Sequence, residues 1–427
     1  MTQSKSITLI CFTRLSEDSR LQRHVKFFEK EGFRINLVSL SDPGREIQPK
    51  AITLHELDFM LDNLWHPPAS DEAWGRPSSS GMAKLKKIWR YACLAFGQKT
   101  RGWLLKYHSR RFAPIDQVEE VFARIEPTNI VMANDWNTLT FASRLIEEWE
   151  AVGIYDSHEY ATEEFADIWD WKIFMRPLIR ETERRFISDF QIVTTVSHSI
   201  ALAMTKLYCL SDPVGLLRNI PLSNGLEESQ KRKKKAPKTA SKFLYLGAIA
   251  PRRGLEKLVQ SLPYWRSDQT LTFIGPQQDP VFAERLREQA HAAGMSDRFE
   301  ILPPVKSSDV VRVASAYDAG LIILPTTIKQ NQWAMPNKFF EYMTAGLAII
   351  STPLADLSRI ISNHGLGIVI PTNKSEEIGA EISKIEQVTL KSAGKASKKY
   401  MSDLSWTHDY EILLDRVDKA LSRGTLN

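Results

Sequence analysis

The sequence predicts an α/β protein of two domains, each a parallel sheet wound by helices, and three observations carry this. A chain of 427 residues is too long for one ordinary core. Short apolar runs alternate with longer amphipathic stretches, the pattern of parallel strands and crossover helices. That alternation stops once, at the lysine-rich "LEESQKRKKKAPKTASK" of residues 226–242, which has no apolar periodicity and reads as a solvated linker. Composition agrees: 43% hydrophobic and 25% charged residues mark a globular chain and exclude a disordered one.

In chain order, Ile7–Phe12 predicts the first strand, Leu21–Glu31 a helix and Arg34–Leu40 a second strand. Further strands are expected at Ile130–Ala133, Val152–Asp156 and Ile192–Val196, with a helix over Leu139–Glu150. Beyond the linker, strands at Phe243–Gly247, Thr270–Ile274, Phe299–Leu302 and Ala319–Leu324 alternate with helices over Gly254–Leu262, Val281–Ala293 and Ser307–Ser315. A last helix opens near Pro336 and leads into a strand at Leu347–Ser351. No repeat of 20–50 residues recurs. Residues 1–225 and 243–404 therefore read as two Rossmann-like domains facing a cleft. In open α/β sheets, ligands gather at the carboxyl ends of the strands.

Cys11, Cys93 and Cys209 are odd in number and far apart, which fits a reducing compartment and argues against a disulfide scaffold or a cysteine zinc site. The apolar run Ile7–Phe12 is too short for the core of a signal peptide, and no stretch reaches the ~18 apolar residues of a membrane span. A cytoplasmic protein is expected.

The stretch "WAMPNKFFEYMTAGLAIIST", residues 333–352, carries the first functional signal. Pro336 at the first helical position sacrifices no hydrogen bond, because that N–H lacks an intrahelical partner anyway. Phe339, Phe340 and Met343 form an inward stripe, and Gly346 suits a helix stop. Asn337, Lys338 and Glu341 share the other side of the first turns. No Ser, Thr or Asp precedes Pro336 to cap the helix. An uncapped N-terminus, a lysine and an amide at one spot make an anion site suited to phosphate. Glu341, one turn deeper, can accept hydrogen bonds from a pair of sugar hydroxyls. The alternative is a surface helix on which Lys338 and Glu341 form an exposed pair.

"MPNKFFEYMTAGLAIIST" resembles the donor-binding helix of the family-4 retaining glycosyltransferases, which have the GT-B fold. The resemblance implies that Glu341 contacts the ribose of a nucleotide-sugar and that Pro336, Asn337 and Lys338 hold its diphosphate. The family pattern carries another Glu eight residues earlier, contacting the donor sugar; here that position is Trp333. "FLYLGAIAPRRGLEKLV" resembles the first strand and loop of the donor domain, so Gly247 and Arg253 are expected at the diphosphate. Ala248 stands where the family often has Arg, and Arg252 or Lys338 is expected to take over that charge. "LTFIGP" and "FEILPPV" resemble the next two strands, the second ending at Val305 near the nucleobase. "IYDSHEYATEEF" resembles a cleft loop whose His, here His158, lies beside the transferred sugar. "SEDSRLQRHVKFFEKEGFRINLVSL" resembles the acceptor-side strand–helix unit. "LSWTHDYEILLDRV" resembles a C-terminal helix, here 405–427, that crosses back to the first domain.

Each residue has a plainer reading. Arg253 is alternatively an ordinary turn residue, and His158 a structural histidine pairing Asp156 or Glu159. The acids Asp156, Glu159, Glu163 and Glu164 invite a metal, but alternation along a strand spreads such ligands apart, so no metal is expected. Trp169 and Trp171 in "ADIWDWKIF" read as packing residues.

The expected function is therefore a metal-independent retaining glycosyltransferase of the GT-B fold. It would move a sugar from a nucleotide-diphosphate donor to a glycan or lipid-linked acceptor hydroxyl, in bacterial cell-surface polysaccharide or glycolipid assembly. No cofactor and no nucleic acid is implied. Arg253 and Lys338 would stabilise the leaving diphosphate, and His158 would orient or polarise the sugar. A GT-B sugar-nucleotide epimerase and a non-catalytic nucleotide-sugar-binding homologue stay open as alternatives. Finally, residues 84–112 hold nine Lys or Arg and no acid. Leu85, Ile88, Trp89, Ala92, Cys93 and Phe96 make one apolar helical face there. A basic amphipathic helix with aromatics suits peripheral contact with the anionic inner face of the cell membrane, the alternative being a face packed on the first domain.

Overall fold

The apolar runs become strands because each is buried on both faces by the amphipathic helices that follow it. The computed structural model describes residues 5–42, 52–58, 115–169, 171–222 and 241–424. These divide into two compact units: residues up to Arg218 together with those from Thr407 on, and those from Asn219 to Trp406. Most of the basic linker and the whole of 84–112 lie outside the described residues.

In the first unit, strands β1 (Ser6–Ile10), β2 (Arg34–Leu40), β3 (Ile52–Leu57), β4 (Ile130–Asn134), β5 (Val152–Ser157), β6 (Ile192–Thr195) and β7 (Gly215–Leu216) form a parallel sheet ordered β3-β2-β1-β4-β5-β6-β7. In the second, β8 (Ser241–Leu246), β9 (Gln269–Ile274), β10 (Phe299–Leu302), β11 (Ala319–Ile322), β12 (Ala348–Ser351) and β13 (Gly367–Val369) are ordered β10-β9-β8-β11-β12-β13, again parallel. The order reverses beside the first strand of each unit, between β1 and β4 and between β8 and β11. Those switch points open a crevice at the strand carboxyl ends, where such sheets bind ligands. The two-sheet α/β fold of the GT-B class is the one expected.

Helix α1 (Ser19–Lys30) starts earlier than its apolar stripe because the Asp18 carboxylate caps it, accepting from the N–H groups of Arg20 and Leu21. Helix α2 (Asn337–Ala345) has the opposite start: Pro336 is its N-cap and offers no side-chain hydrogen bond. Pro336 thus sits one position outside the helix rather than in its first turn. Gly346 ends α2 at φ 77°, the left-handed conformation that glycine adopts without strain. Phe339, Phe340 and Met343 are buried as the stripe predicts, and so is Tyr342. The Tyr342 ring lies against β11 at Gly320, where a Cβ would come within 2.2 Å of it. Helix α3 (His408–Gly424) belongs to the first unit, as expected of the C-terminal helix.

Three strands escaped the sequence reading for physical reasons. The edge strand β3 is polar and only partly buried, while β7 and β13 span two and three residues and carry too little periodicity. β8 begins at Ser241, inside the expected linker, because Ser241 and Lys242 pair with β9. The helix expected over Ser307–Ser315 splits into a 3₁₀ turn, Ser307–Asp309, and a short helix, Val310–Ala314. Among the described residues no helix is long and apolar enough to cross a membrane.

Candidate functional site

At the switch point of the second unit, the loop after β8 and the start of α2 bring two cations together. Lys338 leans over the Tyr245 ring, its Nζ 3.8 Å from the centroid. Gly247, at φ 123°, leaves only enough room for this, since a Cβ there would stand 3.2 Å from that Nζ. The expected placement of Lys338 on the open side of α2 needs correction. It stands one turn before the buried Tyr342 and follows the same face inward. Burial first, and then the positive Arg253, push the Lys338 amine down to about 7, with Glu341 pulling the other way. Arg253 also lies beside the Tyr245 hydroxyl, which donates to the Ala248 carbonyl. Gly254 seats this loop on the chain after β11, where a Cβ would meet the Ile323 carbonyl oxygen at 2.1 Å. Among the described residues neither Arg253 nor Lys338 has a carboxylate within ion-pair distance. Two clustered cations with no carboxylate in ion-pair contact, at a helix start that no side chain caps, suit an anion.

Of the residues singled out in this unit, Gly247, Arg253 and Lys338 therefore come together, with Pro336, Asn337 and Glu341 on the same helix start. Lys338, reaching the loop that holds Ala248, supplies the second charge there. Arg252 sits in that loop at φ 69°. Val305 follows β10, two strands from β8, and is half-buried with no role visible in the cradle. Tyr245, which orders both cations, went unrecognised; its polar tip at the end of an otherwise apolar strand was the available signal.

At the switch point of the first unit the charges neutralise one another. Asp156 of β5 is fully buried and receives a bidentate pair from Arg20 of α1, both contacts at 2.6 Å. The Thr194 hydroxyl donates to its other lone pairs at 2.7 Å, and Nε2 of buried His24 lies 3.0 Å away. Burial opposes the Asp156 charge, but Arg20, then His158 and His24, hold its carboxyl well below the usual range. His158 sits between two carboxylates: Nδ1 is 3.2 Å from Asp135 and Nε2 is 3.5 Å from Asp156. Burial disfavours its charge; Asp135 first and Asp156 second outweigh it, so its pKa is raised. Asp135 also accepts the His158 backbone N–H at 2.9 Å, and it does so at φ 64°, a strained conformation for a residue with a side chain. Neither Asp135, Arg20 nor His24 was singled out from the sequence, because they converge on Asp156 of β5 from α1 and from the end of β4.

His24, Asp156 and His158 place metal-type donor atoms within 4.8 Å of one another. The premise that alternation spreads these ligands needs correction: Asp156 and His158 are two apart, so they share a face. The surroundings still suit an ion-paired cluster better than a metal cage, because Arg20 already occupies both oxygens of Asp156 and would repel a cation. Trp171 packs edge-on against Phe165 at 4.9 Å as expected of a packing residue, whereas Trp169 is 67% exposed.

Comparison with known proteins agrees with this architecture. Residues 227–400, most of the second unit, match the family described as Glycosyl transferases group 1. No curated protein matches the chain. Among solved structures, sucrose-phosphate synthase from Thermosynechococcus elongatus aligns with TM-score 0.68 at 12% identity, covering 98% of this chain and 100% of its own. The α,α-trehalose-phosphate synthase (UDP-forming) from Burkholderia vietnamiensis aligns with TM-score 0.67 at 9% identity, over 99% and 100%. Anabaena HepE, solved in complex with UDP and glucose, gives TM-score 0.67 at 10% identity, over 96% and 99%. The fold is thus that of the GT-B class, and residues 227–400 are similar to the glycosyl transferases group 1 family.

Proposed function

We propose that this protein is a retaining glycosyltransferase that uses a nucleotide-diphosphate sugar and needs no metal. The observation that carries it is the Arg253–Lys338 pair, two cations with no carboxylate in ion-pair contact among the described residues, where the loop after β8 meets the start of α2. As the glycosidic bond of the donor breaks, negative charge grows on the leaving diphosphate. A preorganised cationic cradle lowers the energy of that state, the task a metal performs elsewhere. Glu341 holds the ribose hydroxyls and His158 orients or polarises the donor sugar. No carboxylate here is a convincing covalent nucleophile, so the acceptor hydroxyl attacks from the leaving-group face, its proton passing to a donor phosphate oxygen. A glycan or lipid-linked acceptor in cell-surface polysaccharide or glycolipid assembly fits this reading.

UDP is the first nucleotide to test, since it is the one named for HepE and for the Burkholderia enzyme. Binding to the folded state alone raises stability by mass action. A rise in melting temperature with UDP or another nucleoside diphosphate, and transfer from the matching labelled nucleotide-sugar, are expected. Epimerised donor, or binding without transfer, would replace this reading by one of its two alternatives; no binding of any nucleotide would overturn all three.

A further inference from the structure

The cluster around Asp156 extends beyond the residues just used. The Tyr410 hydroxyl of α3 lies 3.0 Å from His24 Nδ1, on the far side of the imidazole from Asp156. Its ring stacks on Phe27 of α1 at 4.8 Å, so the hydroxyl is held by packing as well. Next to it, Asp409 accepts the Arg218 backbone N–H and both arms of its guanidinium, at 2.7–2.9 Å, anchoring the first turn of α3. Tyr410, His24 and Asp156 are all buried.

The protonation pattern follows from donor and acceptor needs. Asp156 is ionised and can only accept, so His24 Nε2 carries the hydrogen that points to it. Burial first, then Arg20 and His158, disfavour a charged His24, so Nδ1 keeps its lone pair. That lone pair requires a donor, and the Tyr410 hydroxyl, whose ionisation burial suppresses, supplies one. Donor meets acceptor at both links of Tyr410–His24–Asp156, and the Asp156 carboxylate lies 3.5 Å from Nε2 of His158.

We infer that Tyr410 and His24 are positioning residues for His158, acting through Asp156, so that the C-terminal helix sets the geometry and proton affinity of the residue assigned to the donor sugar. The inference rests on the transferase reading only for the word sugar; the relay itself is a property of the first unit. The charged and titratable groups facing His24 and His158 include Asp18, Asp135, Asp156, Arg20 and Tyr410, and Arg23 faces the Tyr410 hydroxyl. Without the Tyr410 hydroxyl, His24 Nδ1 loses its donor, and only Asp156 is left to hold the ring and its Nε2–H tautomer in place. The His24 hydrogen bond to Asp156 is then held less firmly, the carboxylate charge is less neutralised, and His158 binds its proton more tightly.

The test is a nuclear magnetic resonance titration of the histidine ring signals in the full chain, alongside turnover. In the native protein His24 should titrate below a free imidazole and, while neutral, show the Nε2–H nitrogen pattern. Tyr410→Phe keeps the ring on Phe27 and removes only the hydroxyl; His158 should titrate at a higher pH and kcat should fall several-fold with KM nearly unchanged. His24→Leu should do the same more strongly. His24→Gln, whose amide can donate to Asp156 and accept from Tyr410, should restore the native His158 titration. A His24 that titrates like a free imidazole, or a Tyr410→Phe protein whose His158 titrates as in the native one, would overturn the relay. Loss of transfer with every donor, while the ring signals behave as stated, would overturn the functional reading and leave the relay standing.

Discussion

The two sheets reverse strand order at the same place and treat charge there in opposite ways. At β1/β4 the central charges have their counter-charges inside the fold: Arg20 on Asp156, His158 between Asp135 and Asp156. At β8/β11, Arg253 and Lys338 face each other's positive charge with an aromatic ring and a glycine loop for company. A paired cluster is costly to disturb and holds its members in one geometry. An unpaired cradle is destabilising until an anion arrives, and this is how a binding site differs from a structural ion pair.

The largest effect is expected where that contrast is removed. Arg253→Ala with Lys338→Ala should abolish nucleotide diphosphate binding, measured by calorimetry, and with it transfer. Adding EDTA to the native enzyme should leave turnover unchanged, and rescue of an EDTA-treated enzyme by Mg²⁺ or Mn²⁺ would show that the cradle does not replace a metal.

Next comes the closed cluster. Asp156→Asn strands the Arg20 guanidinium in a buried site and should cost about 3–5 kcal/mol in urea unfolding. The Asp156 carboxyl is held below its unfolded value, so its contribution is fully present above about pH 4 and is lost as pH falls below that. The substitution should therefore also flatten the loss of stability in acid. A cost under 1 kcal/mol would mean that the cluster is not the rigid partner in the comparison.

Glu341→Gln should weaken nucleotide binding by roughly 1.5–3 kcal/mol without changing the melting temperature of the free protein, because a charged acceptor for two hydroxyls is lost. Equal affinity in the variant would remove the ribose assignment.

The smallest effect has the opposite sign. The folded state holds Lys338 near 7, below its usual 10.5, so the free protein is least stable below pH 7 and recovers as pH rises toward 10. Lys338→Met should stabilise the unliganded protein by about 1 kcal/mol at pH 6, with the gain fading in base, while losing nucleotide affinity. Destabilisation at pH 6 would contradict the picture of an unsatisfied cation.

The sequence by itself determined the alternation of strands and helices, because burial on both faces requires apolar runs whose length and spacing are visible along the chain. It also marked α2 as a helix with no side-chain cap, since capping is settled by the few residues at the start. Arg253 beside glycine was legible for the same local reason. The tertiary structure alone decided that Lys338 turns inward onto Tyr245, because the depth of Tyr342 depends on Gly320 in another strand. It alone assembled Arg20, His24, Asp135, Asp156, His158 and Tyr410, which are up to 390 positions apart (410 minus 20). Ion pairing and hydrogen bonding act through space, over a few ångströms, and no period along a sequence encodes which distant side chains the packing of helices α1 and α3 on the first sheet will bring within that reach.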